Sequence, residues 1–346
     1  MGISSKIYGR LRSFLLFHSM LFINYILLIC YLNDISIDPV ITTSLISSYI
    51  LTGVSAFLVN DYYDKEVDQK AGKLNLTDAI SPYLVGCAIL ISFALSFLLI
   101  NRISHNASLL LLVQFAALFA YSHPIIRLKT KPILGIITDS AYAYLIPVLL
   151  LFVVFDIKVS DPKSFAFLLF NFCLGIRDIL LHQKNDQSND IKSGINSFAI
   201  QYKTKINFVT YALEFIASLS LIVFLTISFW KIQNDIYLGV VLGAYFILFL
   251  FQLFRVQQSI DNNDIIRFYV AVTSLSIANW LIEENQHAYL VLLVHPYIIQ
   301  FFTRFLVRPL LEIKNFIALI ANYLLYYAFK LGGRDLKKRP LYKKRK

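Results

Sequence analysis

Apolar runs of roughly 17–25 residues recur along the chain, the length needed to cross a hydrocarbon core. They fall at roughly 12–32, 40–60, 82–101, 107–122, 132–155, 163–182, 206–230, 236–256, 266–283 and 287–307. A further run at 315–330 is ambiguous between a span and an interfacial helix. Alternation at a period of two is absent over these stretches, which excludes a transmembrane barrel. The pattern predicts an all-α polytopic membrane bundle. Residues 1–308 form the membrane-embedded helical domain, and 309–346 form an appended helical element with a basic tail.

Composition agrees with the pattern. Of 346 residues 58% are hydrophobic and only 15% are charged, and the mean hydropathy is +0.64. A soluble domain carries about 25% charged residues. The three cysteines, Cys30, Cys87 and Cys173, all fall within apolar runs at unrelated spacings, as small core residues do. The first run follows basic residues as a signal peptide would, but no small-residue cleavage site follows it. It reads as an uncleaved first helix.

Orientation is read from the basic residues. Lys6, Arg10 and Arg12 precede the first span. Lys65, Lys70 and Lys73 follow the second, Arg127, Lys129 and Lys131 the fourth, and Lys184, Lys192, Lys203 and Lys205 the sixth. The alternate loops are poorer in Lys and Arg. The N-terminus, the even-numbered loops and the basic tail are therefore expected on the cytoplasmic side, and a bacterial inner membrane fits the absence of a visible organelle signal. The net charge of +11 resides mostly in these loops and the tail. Such a tail suits anionic lipid headgroups. No recognition fold remains for nucleic acid once the spans are removed.

The acids carry the candidate chemistry. Asp61, Asp64 and Asp68 follow Asn60 at the inner end of the second span, spaced i, i+3 and i+7. At about 100° per residue they share one helical face. Asp186 and Asp190, at the inner end of the sixth span, are i and i+4, and Asp178 and His182 continue their stripe toward the membrane. Like charges on one face beside a membrane are costly unless a cation compensates. Two facing sets of carboxylates suit Mg²⁺, a hard ion that commonly bridges carboxylates to phosphates. This points to a diphosphate held through Mg²⁺ at the membrane surface with an apolar tail inside the bundle. His182 suits an orienting role better than ligation of such an ion. Arg177 and Lys184 flank the second cluster, either paired with its carboxylates or in contact with phosphate.

The first cluster resembles the NDxxDxxxD motif of the UbiA superfamily of intramembrane prenyltransferases. Asp186-xxx-Asp190-xxx-Gly194-xx-Ser197-x-Ala199 resembles that family's DxxxDxxxGxxTxA pattern, with Ser for Thr. Tyr121-Ser122-His123-Pro124-Ile125-Ile126-Arg127-Leu128-Lys129 is similar to its YSxPPxRLK loop, with Ile at the second Pro. The three segments occur in the family's order, over roughly residues 10–285. The resemblance implies about nine helices around a central cavity and Mg²⁺-dependent transfer of a prenyl group from a prenyl diphosphate. Asp61, Asp64, Asp68, Asp186 and Asp190 are then Mg²⁺–diphosphate ligands. Asn60 and Tyr121 lie beside the site, and Arg127 and Lys129 are diphosphate-binding cations.

The chain departs from the family at Ala71-Gly72-Lys73-Leu74-Asn75, where many members carry an Arg-rich stretch ending in Arg-Pro. Lys73 stands in as a point charge without the bidentate fork of Arg. Gln183 stands where some members have Asp. Tyr62, Tyr63, Tyr142 and Tyr144 are candidate π faces for a carbocation. Asp139, within the fifth span, is a candidate to take the acceptor's proton or to orient Arg127. The acceptor is expected to be lipid-soluble or amphipathic. Competing readings are transfer of a phosphorylated sugar to a polyprenyl phosphate, a transporter with an acidic cation path, and an inactive scaffold. Acids at helix ends, not at the midplane, favour an enzyme over a transporter.

Overall fold

A computed structural model describes residues 18–70, 72, 75–229, 277, 280 and 281. The chain divides into two compact units, Met1–Ile236 and Tyr237–Lys346. All but three of the described residues belong to the first unit. The expected spans beyond residue 230, the appended element at 309–346 and Lys73 lie outside the described residues.

The first unit is helical throughout its described elements. These are α1 (Ser19–Leu32), α2 (Pro39–Lys70), a 3₁₀ turn (Leu76–Ala79), α3 (Pro82–Ile103) and α4 (His105–Ser122). A second 3₁₀ turn (Leu128–Thr130) leads into α5 (Pro132–Val154), followed by α6 (Pro162–Ser193), the short α7 (Phe198–Gln201) and α8 (Ile206–Phe229). Among the described residues six helices are long and apolar enough to cross a membrane, and they correspond to the second to seventh expected spans.

Local chemistry sets the helix starts. Proline opens α2, α3, α5 and α6, where its missing N–H costs nothing and its fixed φ suits the first turn. Asp38 accepts from the Val40 and Ile41 amides ahead of α2, and Asp161 accepts from the Lys163 amide ahead of α6. The helices α2 and α6 run well past their apolar stretches, farther than the expected ends near 60 and 182. Their acids therefore sit on continuous helix beyond the apolar stretches, where no Gly or Pro interrupts it.

Of the six membrane-length helices, α6 is the most buried. Within its membrane window 67% of residues are buried, against 28–50% in the other five spans. Phe167, Phe170 and Leu174 on it are fully buried. The Tyr25 hydroxyl of α1 donates to Asn171 of α6 at 2.5 Å. A polar cluster joins α2 to α3, with Ser48 and Thr52 bonded to Ser96 at 2.7 and 2.9 Å. Lipid supplies no hydrophobic drive between helices, so small residues and internal hydrogen bonds of this kind hold them together.

Between Ser140 and Ile146, α5 widens into one π turn (Ala141–Leu145). Pro147 explains it: the ring has no N–H to return and crowds the carbonyl one turn back. Gln114 of α4 donates to the carbonyl of Tyr142 at 2.7 Å, satisfying a backbone acceptor at the widened turn. At the same level Gly175 of α6 lies against Ser140. A Cβ there would collide with the Ser140 hydroxyl and stand 2.8 Å from the Tyr144 ring. The Ser140 hydroxyl donates to the carbonyl of Phe172 at 2.7 Å, so it cannot swing away without loss. Gly175→Ala is expected to destabilise by about 1–3 kcal/mol, lowering the unfolding temperature in detergent by several degrees. Adding Ser140→Gly should restore part of that loss. An unchanged midpoint in the single variant would show that the helices part freely at this level.

Candidate functional site

The three motif segments meet at one end of the unit. On α2, Asp61 is fully buried, Asp64 and Asp68 are half-buried, and Tyr62, Glu66, Gln69 and Lys70 face outward. The i, i+3, i+7 spacing thus puts the three acids on the inward face, as expected. The loop between α4 and α5 supplies the opposite charge. The Lys129 ammonium and the Arg127 guanidinium both bond to Oδ1 of Asp64, the latter at 3.3 Å. Lys129 is buried. Burial pushes its pKa below the ordinary lysine value, and the neighbouring Asp64 carboxylate opposes that shift.

The loop geometry that delivers these cations is strained. Arg127 has φ 42° and ψ 56°, a left-handed conformation uncommon for a residue with a Cβ. Such a conformation costs about 1–3 kcal/mol and persists where the surroundings enforce it. Here the Arg127 amide donates to the His123 carbonyl, and its own carbonyl accepts from both the amide and the hydroxyl of Thr130, at 3.0 and 2.9 Å. Gly135 of α5 seats the turn from the other side. A Cβ on it would stand 2.9 Å from the Leu128 carbonyl. The Arg127 Nε is buried with no acceptor among the described residues, a donor suited to an anion in the site.

The second acidic cluster approaches from α6. His182 is 3.7 Å from Asp186 and largely exposed, in keeping with a flanking role. Tyr121, at the end of α4, lies within electrostatic reach of Asp64, Asp139 and Asp190 together. This links α2, α5 and α6 around one point. The ring of Tyr121 also meets that of Tyr142 edge-on at 5.6 Å. The Tyr142 hydroxyl donates to Asp139 at 2.5 Å. Arg127 pairs with Asp64, so the expectation that Asp139 orients Arg127 is not met: one Asp64 oxygen already takes both cations of the loop.

Other expectations are corrected. Among the described residues no three His, Cys, Asp or Glu side chains are gathered closely enough to hold a metal by themselves. Mg²⁺ needs only one or two carboxylates when a phosphate completes its shell, and the acids fit that arrangement. Arg177 takes the pairing role, not the phosphate role. It is 1% exposed, bonded to Asp178 at 2.8 Å and 3.6 Å from Glu214 of α8. Tyr144 donates to the other oxygen of Asp178 at 2.7 Å. Lys184 and Tyr62 are exposed, and Tyr63 packs on His123 at 5.0 Å; Tyr142 is bonded to Asp139 and Tyr144 to Asp178.

The sequence assigns Gln183 no role, and the structure supplies one. Gly194 ends α6 at φ 69°, with the Ile195 amide returning to the Asp190 carbonyl at 3.0 Å. The chain then folds back, with the Ala199 amide donating to Gln183 and Gln187 donating to the Ala199 carbonyl. The Gly-xx-Ser-x-Ala segment is thereby fastened beside Asp186 and Asp190. It covers an apolar cluster of Ile136, Ile179, Leu180 and Phe198. Asn75 likewise stands out in the sequence only as part of a departure from the family. It is fully buried and accepts from the Thr77 amide at 2.9 Å, while Asp78 receives the Asn75 amide at 3.3 Å. The Asn-x-x-Asp spacing of this capping box is the signal that could have found it.

The geometry is therefore two loop cations on the acidic end of α2, beside Tyr121, Tyr142 and Asp139, with Asp190 of α6 within electrostatic reach of Tyr121. The fold is similar to solved structures of a UbiA homologue from Archaeoglobus fulgidus. One, bound to DMAPP and Mg²⁺, has a TM-score of 0.57 at 17% identity, covering 83% of this chain and 98% of that one. Another, bound to GPP and Mg²⁺, has a TM-score of 0.56 at 17% identity, covering 83% and 99%. A comparison with curated proteins gives no match. The model of the UbiA prenyltransferase family matches residues 19–280, and the chain belongs to that family.

Proposed function

We propose that this prenyltransferase moves a prenyl group from a prenyl diphosphate to a lipid-soluble or amphipathic acceptor within the membrane. The observation that carries the reading is the contact of Asp64 with Arg127 and Lys129, beside a buried guanidinium nitrogen that lacks an acceptor among the described residues. Two cations resting on one carboxylate can transfer to an incoming diphosphate. The ligands of the A. fulgidus structures, prenyl diphosphates with Mg²⁺, support the same assignment here.

Asp61, Asp64, Asp68, Asp186 and Asp190 would hold Mg²⁺, which supplies neutralisation of diphosphate charge when bound. Arg127 and Lys129 bind the diphosphate and stabilise the negative charge that grows on it in the transition state. Asn60 borders the same acidic stretch. The allylic C–O bond breaks with its electron pair passing to the diphosphate, and an electron pair of the acceptor forms the new bond to the prenyl carbon. Tyr121 and Tyr142 offer π faces to the developing cation, and Asp139 takes the proton that the acceptor releases. The motif end of the bundle is assigned to the cytoplasmic side on the basis of the Lys and Arg distribution. A transporter reading is disfavoured, because both loop cations rest on Asp64 at a helix end and not at the membrane midplane.

Purified protein given radiolabelled DMAPP or GPP with a membrane lipid extract is expected to yield a labelled lipid and free diphosphate only when Mg²⁺ is present. Asp64→Ala and Asp190→Ala should each lower that rate by roughly 10²–10³-fold. Asp139→Asn should slow product formation while the protein stays folded. No diphosphate release from folded wild-type protein with any prenyl diphosphate would refute the assignment.

Arg177 gives the opposite signature. Removing one partner of a buried ion pair costs about 3–5 kcal/mol. Arg177→Met is therefore expected to lower the unfolding temperature by roughly ten degrees, while the KM for GPP of the folded fraction stays within about twofold of wild type. A KM rise without thermal loss would return Arg177 to the phosphate site.

A further inference from the structure

The turn at residues 75–79 follows the stretch where the family's Arg-rich pattern is missing, and it is bonded to α2. Asn75 is the point of attachment. Its side-chain nitrogen donates at 2.8 Å to the main-chain carbonyl of Asp61 and at 2.8 Å to Oδ2 of Asp68. Its side-chain oxygen accepts from the amide and the hydroxyl of Thr77, at 2.9 and 2.7 Å. Two donors and two acceptor lone pairs are all that a side-chain amide offers, so Asn75 is fully engaged and fully buried. The turn it caps is held from α2 as well. Gln69 donates to Asp78 at 3.1 Å, and Lys65 donates to the Thr77 carbonyl at 3.4 Å.

Two of the motif's three carboxylates, Asp64 and Asp68, thus have different partners. Asp64 is met by two cations, which neutralise it. Asp68 accepts from a neutral amide donor, which orients the carboxylate without cancelling its charge. Outer partners that orient a ligating carboxylate in this way typically account for about 10–100-fold in metal affinity. Resting on the diphosphate reading above, we infer that Asn75 is a positioning residue. It presents Asp68 to the cation that accompanies the diphosphate, and the capped turn exists to place it there.

Two substitutions separate this role from simple support of the loop. Asn75→Ser keeps an oxygen that can cap the turn but removes both N–H donors. Asp78→Ala breaks the capping box and its tie to Gln69, yet leaves the Asn75–Asp68 bond. The readout is the thermal stabilisation of full-length protein in detergent by Mg²⁺ at a fixed concentration of inorganic diphosphate. The Mg²⁺ concentration giving half the stabilisation should rise by at least about tenfold in Asn75→Ser and stay near the wild-type value in Asp78→Ala. Asn75→Thr, which fills more of the vacated volume, serves the same comparison if the serine variant is not recovered folded. A wild-type midpoint in the Asn75 variants, or an equal shift in Asp78→Ala, would overturn the positioning role while leaving the diphosphate site standing. Wild-type protein that gains no stability from Mg²⁺ and diphosphate together would overturn both.

Discussion

The arrangement depends on one electrostatic constraint. Asp64 carries a half-buried negative charge at the end of a long membrane helix, and Lys129 carries a buried positive one on a loop 65 residues away. Neither charge is tolerable alone so close to lipid. Bringing them together fixes the α4–α5 loop against α2. Arg127 then reaches the same oxygen from a left-handed backbone position. The loop is strained because it is built to deliver two cations to one place. Thr130 and Gly135 hold it there.

Beneath that end, the packing between α5 and α6 serves the same purpose. Pro147 imposes the π turn, Gln114 satisfies a carbonyl at it, and Gly175 lets α6 approach to contact with Ser140. The widened turn sets Tyr142 against Asp139 and Tyr144 against Asp178. Arg177 completes the lower layer by joining Asp178 to Glu214. These buried and half-buried polar groups bond to one another across three helices.

Much of this is legible in the order of the amino acids. Apolar run length predicts the helices from the second to the seventh span, and the spacing of Asp61, Asp64 and Asp68 predicts their common face. The resemblance of the 121–129 segment to the family's loop marks Arg127 and Lys129 as phosphate-binding candidates, and the structure adds their contact with Asp64. Pairing between residues far apart in the chain is not legible in this way. Arg177 flanks the second acidic motif, and its neighbours in the chain do not decide between phosphate and the pair Asp178 and Glu214. Gln183 and Asn75 stand out only as departures from the family, because their work is to fasten loops whose return path is three-dimensional. The π turn is also hidden, since a proline within a span announces a kink without specifying its form. Spacing alone shows which acids share a face, but not that the loop cations rest on Asp64.

The central claim is that Arg127 and Lys129 exchange Asp64 for a diphosphate. The most direct test is a structure of the full-length protein with Mg²⁺ and a non-cleavable geranyl thiodiphosphate. The account predicts diphosphate oxygens within hydrogen-bonding distance of both cations, with the prenyl chain directed toward Tyr121 and Tyr142. A diphosphate bound elsewhere, with Arg127 and Lys129 still resting on Asp64, would contradict it.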